Sequence, residues 1–394
     1  MGGAGLLSAA DNWVVSPLLP AMAAGFGVSV ATAGTVLTAY LLPYGLMQPV
    51  AGFLADRYGK SRLLRLIVGG LALGTAGCAL AGSLAWLCFW RAVTGLFAAG
   101  IIAVSLAIIG DVFPPRQRQG QVGLFMGMVF LGQGLSVGMG GFFAMYSGWR
   151  TSFALFALLA VLVLVLLRGL PKTPPTGERL AFFPEVGRAL ATPMGRIIFP
   201  LALVTGFFLL GVYGFLGAFL HEAVGLTYVQ AGLVVMSYGF SCLLAGLVAG
   251  RLGSRYGPKR LVITGGGLAA AAAGLLLVTT SWPLGLLATI CLGFGYICIQ
   301  STLATLAFEV SAAAKGLPSA LIGLGLFGGG SLGTAFGSWM LPRGGYQGLW
   351  LALAGGTAVC LCLVGALLRF PCPKSDTRFG ASGVPTNRRP HARA

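Results

Sequence analysis

The segment GFLADRYGKSRL, residues Gly52 to Leu63, recurs as GRLGSRYGPKRL, residues Gly250 to Leu261, at an offset of 198 and without a gap; seven of the twelve positions are identical. The same offset pairs Tyr40 with Tyr238 and Gly95 with Gly293, so the duplication reaches into the flanking apolar stretches. Each copy sets glycines, which permit a tight turn, among basic residues and between two long apolar runs. The chain therefore reads as two tandem halves of one design.

Outward from these two turns, apolar segments alternate with short polar ones. Of 394 residues 57% are hydrophobic and only 8% charged, with a mean hydropathy of +0.91. Soluble domains carry roughly 25% charged residues, so this composition cannot cover a water-facing surface and excludes a cytosolic enzyme. A helix that crosses the hydrocarbon needs ~20 residues. Twelve are predicted, at about 4–24, 30–51, 64–82, 85–112, 121–144, 150–168, 197–221, 229–250, 261–280, 284–308, 317–341 and 348–369.

The expected fold class is an all-α membrane protein with twelve transmembrane helices in two six-helix halves, 1–168 and 197–370. Residues 169–196, with Pro171, Pro174 and Pro175, form the expected cytoplasmic linker between the halves. Residues 371–394 are basic and poor in large apolar side chains, and a disordered cytoplasmic tail is expected there.

Basic residues accumulate on the cytoplasmic side of a membrane protein. Alternating the polar segments inside and outside puts 22 of the 25 Lys and Arg inside, leaving Arg150 and Arg343 outside and Arg91 within a span. Both termini are then cytoplasmic, in the inner membrane of a cell. The formal net charge of +17 is topological on this reading; it attracts anionic lipid and requires no nucleic-acid partner. The first apolar run begins beside Met1 and leads straight into a second, so no cleavable signal is expected. The eight cysteines lack zinc-like spacing and read as small buried hydrophobes. With His221 and His391 the only histidines, no metal site, cofactor or catalytic residue is expected.

On these motifs the chain resembles the major facilitator superfamily over nearly its whole length. Gly52 to Arg62 is similar to the family's loop between helices 2 and 3, G-x-L-a-D-R-x-G-r-k, and two halves related by a parallel repeat are one of its architectures. Arg91 followed by Gly95 resembles the family's intramembrane arginine motif in helix 4. Gly123, Gly132, Gly140 and Gly141 fit the glycine spacing of the helix 5 motif associated with antiporters, whose central Gly-Pro pair is Ser136-Val137 here. The resemblance implies alternating access, in a branch similar to the drug:proton antiporters. It also implies a conformational latch of Gly52, Asp56, Arg57, Gly59, Lys60 and Arg62, with Asp111 as a second acid. The same basic residues would fix topology in a protein that never moved. The many glycines from Gly323 to Gly337 read mainly as close packing of helix 11.

Asp11 is the only carboxylate well inside a span and Arg91 the only base. Each costs ~2.5–3.5 kcal/mol at a helix centre on insertion scales. The offset of 198 sends Asp11 to Leu209 and Arg91 to Thr289, so the second half builds its bundle without either charge. Asp11 and Arg91 are accordingly expected to be a proton-coupling pair. The competing reading has Asp11 snorkelling to the inner interface and Arg91 reaching the outer headgroups.

Tyr40, Tyr44 and Gln48 share a helix face, as do Tyr296 and Gln300. With Asn12, Trp13, Phe207, Tyr213 and Tyr238 they form the expected substrate cavity, or else ordinary interhelical packing. A cavity rich in aromatics and poor in polar groups suits an amphipathic organic solute. The function expected is secondary active transport: proton-coupled efflux of a small amphipathic compound or drug, by a monomer whose partners are that solute, protons and membrane lipid. The alternatives are proton-linked uptake or facilitated diffusion of a metabolite or lipid, and a non-transporting ligand sensor.

Overall fold

The computed structural model describes residues 1–171, 182–310 and 316–367; most of the expected linker's first half and the whole expected tail lie outside the described residues, as do the Asp56 side chain and the surroundings of Gly52. Among the described residues there is no strand. The first pass, α1, is Gly2–Trp13 continued by Val15–Phe26, and α2 is Val30–Ala33 continued by Thr35–Tyr58. Then follow α3 (Lys60–Leu80), α4 (Leu84–Ala98 continued by Gly100–Val112), α5 (Pro115–Tyr146) and α6 (Trp149–Leu166). The second half begins with α7, which runs from Gly195–Thr205 through a π-helical segment, Gly206–Leu210, to Leu216–Glu222. It continues with α8 (Tyr228–Tyr256), α9 (Pro258–Val278) and α10 (Trp282–Val310). A single helical stretch, Gly316–Leu367, closes the chain.

Ten of the described helices are long and apolar enough to cross a membrane. Two local features raise the count to twelve passes. The first pass is split into two shorter helices, and the last stretch breaks at Gly345 (φ 57°, ψ −166°). That left-handed backbone suits glycine and turns the chain back, giving α11 before it and α12 after it.

The duplication is visible in the geometry. Gly59 (φ 86°) and Gly257 (φ 82°) make equivalent turns between α2 and α3 and between α8 and α9. Beside them the Arg57 guanidinium lies 5.6 Å from the Tyr58 ring and the Arg255 guanidinium 5.4 Å from the Tyr256 ring. Gly95 seats α4 directly on the Tyr40 carbonyl of α2, and Gly293 seats α10 on the Tyr238 carbonyl of α8. Small residues allow helix backbones to approach this closely in lipid, where apolar side chains gain little from leaving the solvent.

The same device joins the halves. Across α2 and α11, a Cβ on Gly45 would lie 2.7 Å from the Gly328 amide, and the Thr38 and Thr334 hydroxyls are 2.8 Å apart. Across α5 and α8, Gly134 faces Gly239 and Gly141 faces Gly232. Across α1 and α7, the Ser16 hydroxyl donates to the Tyr213 carbonyl (3.2 Å) and accepts from the Gly217 amide (3.3 Å). These contacts run from mid-membrane to the face remote from the basic turns. Near the basic face the α5–α8 seam loosens: Gly120, Gly123 and Gly250 have nothing within 4 Å of a built Cβ.

Ser136 and Val137 leave α5 unbroken, the Ser136 hydroxyl turning back onto the Gln133 carbonyl (3.1 Å). The stretch expected as linker contains a short helix, Phe182–Ala191, whose Ala189 carbonyl packs against Gly195 at the start of α7. Cys78, Cys242 and Cys298 are buried as expected, but Cys362 is exposed on α12.

Candidate functional site

Asp11 and Arg91 meet. Arg91 Nη1 donates to Asp11 Oδ2 at 2.8 Å and to the Asp11 carbonyl at 2.9 Å, and Thr75 on α3 donates to Asp11 Oδ1 at 3.1 Å. The Tyr40 ring of α2 lies 4.1 Å from the guanidinium carbon, in cation–π range, and the Phe153 ring of α6 lies 5.7 Å away. Five helices of the first half therefore converge on one ion pair.

Asp11 is 1% exposed and Arg91 fully buried. Neither side chain reaches an interface, so both snorkelling readings are overturned. The niche is sealed by Tyr40, Thr75 and Phe153 and lies within the first half, away from the seam between the halves. Arg91 Nε and Nη2 have no hydrogen-bond partner. The cation is thus only partly satisfied, and a buried charge left unpaired is costly.

Thr75 and Phe153 are the participants that the sequence reasoning missed. A signal for Thr75 existed: at the offset of 198 it pairs with Ala273, as Asp11 pairs with Leu209 and Arg91 with Thr289. In the second half those positions carry no charge: Leu209, Ala273 and Thr289 are all buried, and the Thr289 hydroxyl is bonded within its own helix to the Gly285 carbonyl (2.7 Å).

Two residues along α1 from Asp11, a rotation of about 200° at 3.6 residues per turn, Trp13 faces the other half. Its ring lies 4.8 Å from Tyr213 of α7 and 6.1 Å from Tyr238 of α8; Tyr213 and Tyr238 are 4.2 Å apart, and Tyr296 of α10 is 6.1 Å from Tyr238. Four of the expected cavity residues thus form one aromatic cluster at the centre of the molecule. Asn12 is buried beside it in sequence. Tyr44 stacks on Tyr40 (5.5 Å) and reaches Phe327 of α11 (4.4 Å), linking the ion-pair niche to the α2–α11 seam. Gln48 lies against Gly323 in that seam, and Gln300 is half-buried one turn from Tyr296. Phe207 does not join the cluster; it packs on Phe208 and Phe336 between α7 and α11.

At the basic face Lys60 Nζ bonds Asp111 Oδ2 at 2.7 Å, tying the start of α3 to the end of α4. The expected role of Asp56 lies outside the described side chains. Arg57 and Arg62 are exposed, and the Gly59 turn is formed. Asp111 is 45% exposed, and exposed pairs contribute ~0–1 kcal/mol. Asp111→Asn is therefore expected to lower the melting temperature by about a degree or two at most, and less in high salt. A larger loss in a detergent melting experiment would show that the pair holds more than these two helix ends.

Twelve passes in two duplicated halves, joined by small-residue seams around an aromatic centre, define a membrane transport fold. The family model described as Major Facilitator Superfamily matches residues 1–221 and 198–390; the chain belongs to that superfamily. It is 27% identical over 264 residues to the uncharacterized MFS-type transporter YceJ of Bacillus subtilis, covering 65% of this chain and 66% of that one. It is 27% identical over 270 residues to the multi-drug resistance efflux pump PmrA of Streptococcus pneumoniae (65% and 67%). It is 30% identical over 172 residues to the multidrug resistance protein fnx1 of Schizosaccharomyces pombe (44% and 32%). The chain therefore spans two thirds or less of the length of YceJ and fnx1. Among solved structures the fold is shared with the nucleoside transporter NupG (TM-score 0.76, 13% identity, 94% of this chain and 98% of that one) and a D-xylose-proton symporter (0.74, 19%, 92% and 95%).

Proposed function

We propose that this transporter exports a small amphipathic organic solute in exchange for protons, with Asp11 and Arg91 as the coupling pair. The observation that carries the reading is the placement of Asp11 and Trp13 on opposite faces of one helix. Protonating Asp11 releases Arg91, whose remaining donors are already unpartnered, and shifts α1; the same shift moves Trp13 against Tyr213 and Tyr238 of the other half. A bistable element biased at one end is what coupling requires. The names of PmrA and fnx1 support export and a drug-like solute. We further take the basic face as cytoplasmic, the membrane as a cell's inner membrane, and the working unit as a monomer in contact with anionic lipid.

The test is flux of rhodamine 123, a flat amphipathic dye, in proteoliposomes under an imposed pH gradient. Wild-type protein is expected to drive dye against protons and to stop when the gradient is collapsed. Asp11→Asn is expected to retain at most gradient-independent leakage. Equal, gradient-driven flux in both proteins would refute the coupling role, and dye moving in the same direction as protons would turn export into uptake.

A further inference from the structure

Tyr213 and Tyr238 are buried, at 1% and 0% exposure, and neither hydroxyl has an oxygen or nitrogen hydrogen-bond partner. A buried hydroxyl without a partner is destabilising, and phenylalanine would fill nearly the same space without that cost. The repeat supplies an internal control. Tyr40, the counterpart of Tyr238, has its hydroxyl directed at the Ser8 carbonyl (3.5 Å) and its ring face against Arg91. Where Arg91 stands in the first half the second half has Thr289, bonded within its own helix. Tyr238 has in its place only the Cys242 thiol, a weak sulfur partner one turn along α8 that is itself directed to the Gly293 carbonyl at 3.6 Å.

The two rings touch at 4.2 Å and are flanked by Trp13, itself only half-buried, and by Tyr296. Four aromatic rings and two phenolic hydroxyls without an oxygen or nitrogen partner are thus gathered at the point where the halves meet. Among the described residues of this cluster there is no acid to form an ion pair with a cationic solute.

We propose that Tyr213 and Tyr238 are specificity-determining donors that select solutes presenting an acceptor oxygen, such as a ketone, ester or amide carbonyl, beside a flat apolar body. This rests on the transport reading above but not on proton coupling. A solute entering from the loosened basic face parts the two rings; its carbonyl accepts from the hydroxyls, and its body stacks against Trp13 and Tyr296. A site built to hydrogen-bond a particular group discriminates strongly against the analogue that lacks it.

The probes are 9-fluorenone and fluorene, which share size and shape and differ by one carbonyl. Their binding to the purified full chain is followed by calorimetry in detergent at fixed pH. Fluorenone is expected to bind about tenfold more tightly than fluorene, as one or two hydrogen bonds would give. In Tyr213→Phe/Tyr238→Phe the ratio is expected to fall to about one while fluorene affinity stays the same; each single variant is expected to lie between. A ratio near one in the wild-type chain, or saturable binding of neither probe, overturns the proposal whether or not the variants fold. So does a preference that survives the double substitution. Fluorenone selectivity accompanied by flux that ignores the pH gradient would remove the coupling role of Asp11 and leave this site in place.

Discussion

Replacing Asp11 by Leu and Arg91 by Thr together, the residues that the second half carries at the same positions, is expected to give a folded protein with no proton-driven transport. Removing one member of a buried ion pair leaves the other charge uncompensated and costs 3–5 kcal/mol. Asp11→Leu alone is therefore expected to melt well below wild type, because Arg91 would be left fully buried with no anion, held by the main-chain carbonyl of residue 11 and the Tyr40 ring. Replacing both partners removes the charge problem, and such replacements in other proteins are often neutral or stabilising. In the second half the equivalent residues Leu209, Ala273 and Thr289 are buried without any charge among them. Melting temperatures of the single and double variants give the coupling term of a double-mutant cycle, and flux gives the function. If the double variant still transports against a pH gradient, the pair is a structural staple. If the losses of the two single variants simply add in the double variant, the pair is not energetically coupled.

Gly95→Val is expected to be among the most damaging single apolar substitutions in the first half, and Gly293→Val to damage the equivalent contact of the second half less severely. A Cβ at Gly95 would collide with the Tyr40 carbonyl oxygen, and one at Gly293 would sit 2.8 Å from the Tyr238 carbonyl oxygen. These neighbours are helix backbone and cannot swing aside. Overpacking of this kind costs 1–3 kcal/mol or more, and at Gly95 it would also displace Tyr40 from the guanidinium it covers. Gly267 on α9 has nothing within 4 Å and is exposed. Gly267→Ala is accordingly expected to be neutral or to stabilise by ~0.5–1 kcal/mol. Thermal melts of purified protein decide this: a Gly95→Val variant as stable as Gly267→Ala would mean that interhelical contact at Gly95 does not set the cost.

The passes were legible because hydropathy and turn chemistry agree. The repeat centred on Gly59 and Gly257 fixed the two-half plan, and Gly95 and Gly293 perform the same packing in both halves. Pairing of Asp11 with Arg91 was also legible, because a lone acid and a lone base in apolar spans have few other partners. Their seclusion was not. The sequence leaves α1 free to present either face to the seam, and Trp13, not Asp11, takes that face. Thr75 was missed because a threonine in a span ordinarily bonds its own helix, as Thr289 and Thr357 do. Phe207 was misplaced by composition: aromatic density on α7 does not say which face meets α11. Tyr213 and Tyr238 were found, but the lack of an oxygen or nitrogen partner for their hydroxyls depends on what neighbouring helices fail to provide, and no periodicity reports that.

The central claim is that a sealed carboxylate changes its protonation state as the protein works. The pH-difference infrared spectrum of reconstituted wild-type protein, set against that of Asp11→Asn, tests it without a substrate. On acidification, a carbonyl stretch of a protonated carboxyl in a dry environment is expected in wild type and is expected to vanish in the variant. A band that persists unchanged in Asp11→Asn, or no such band in wild type at any pH where the protein stays folded, would contradict the claim.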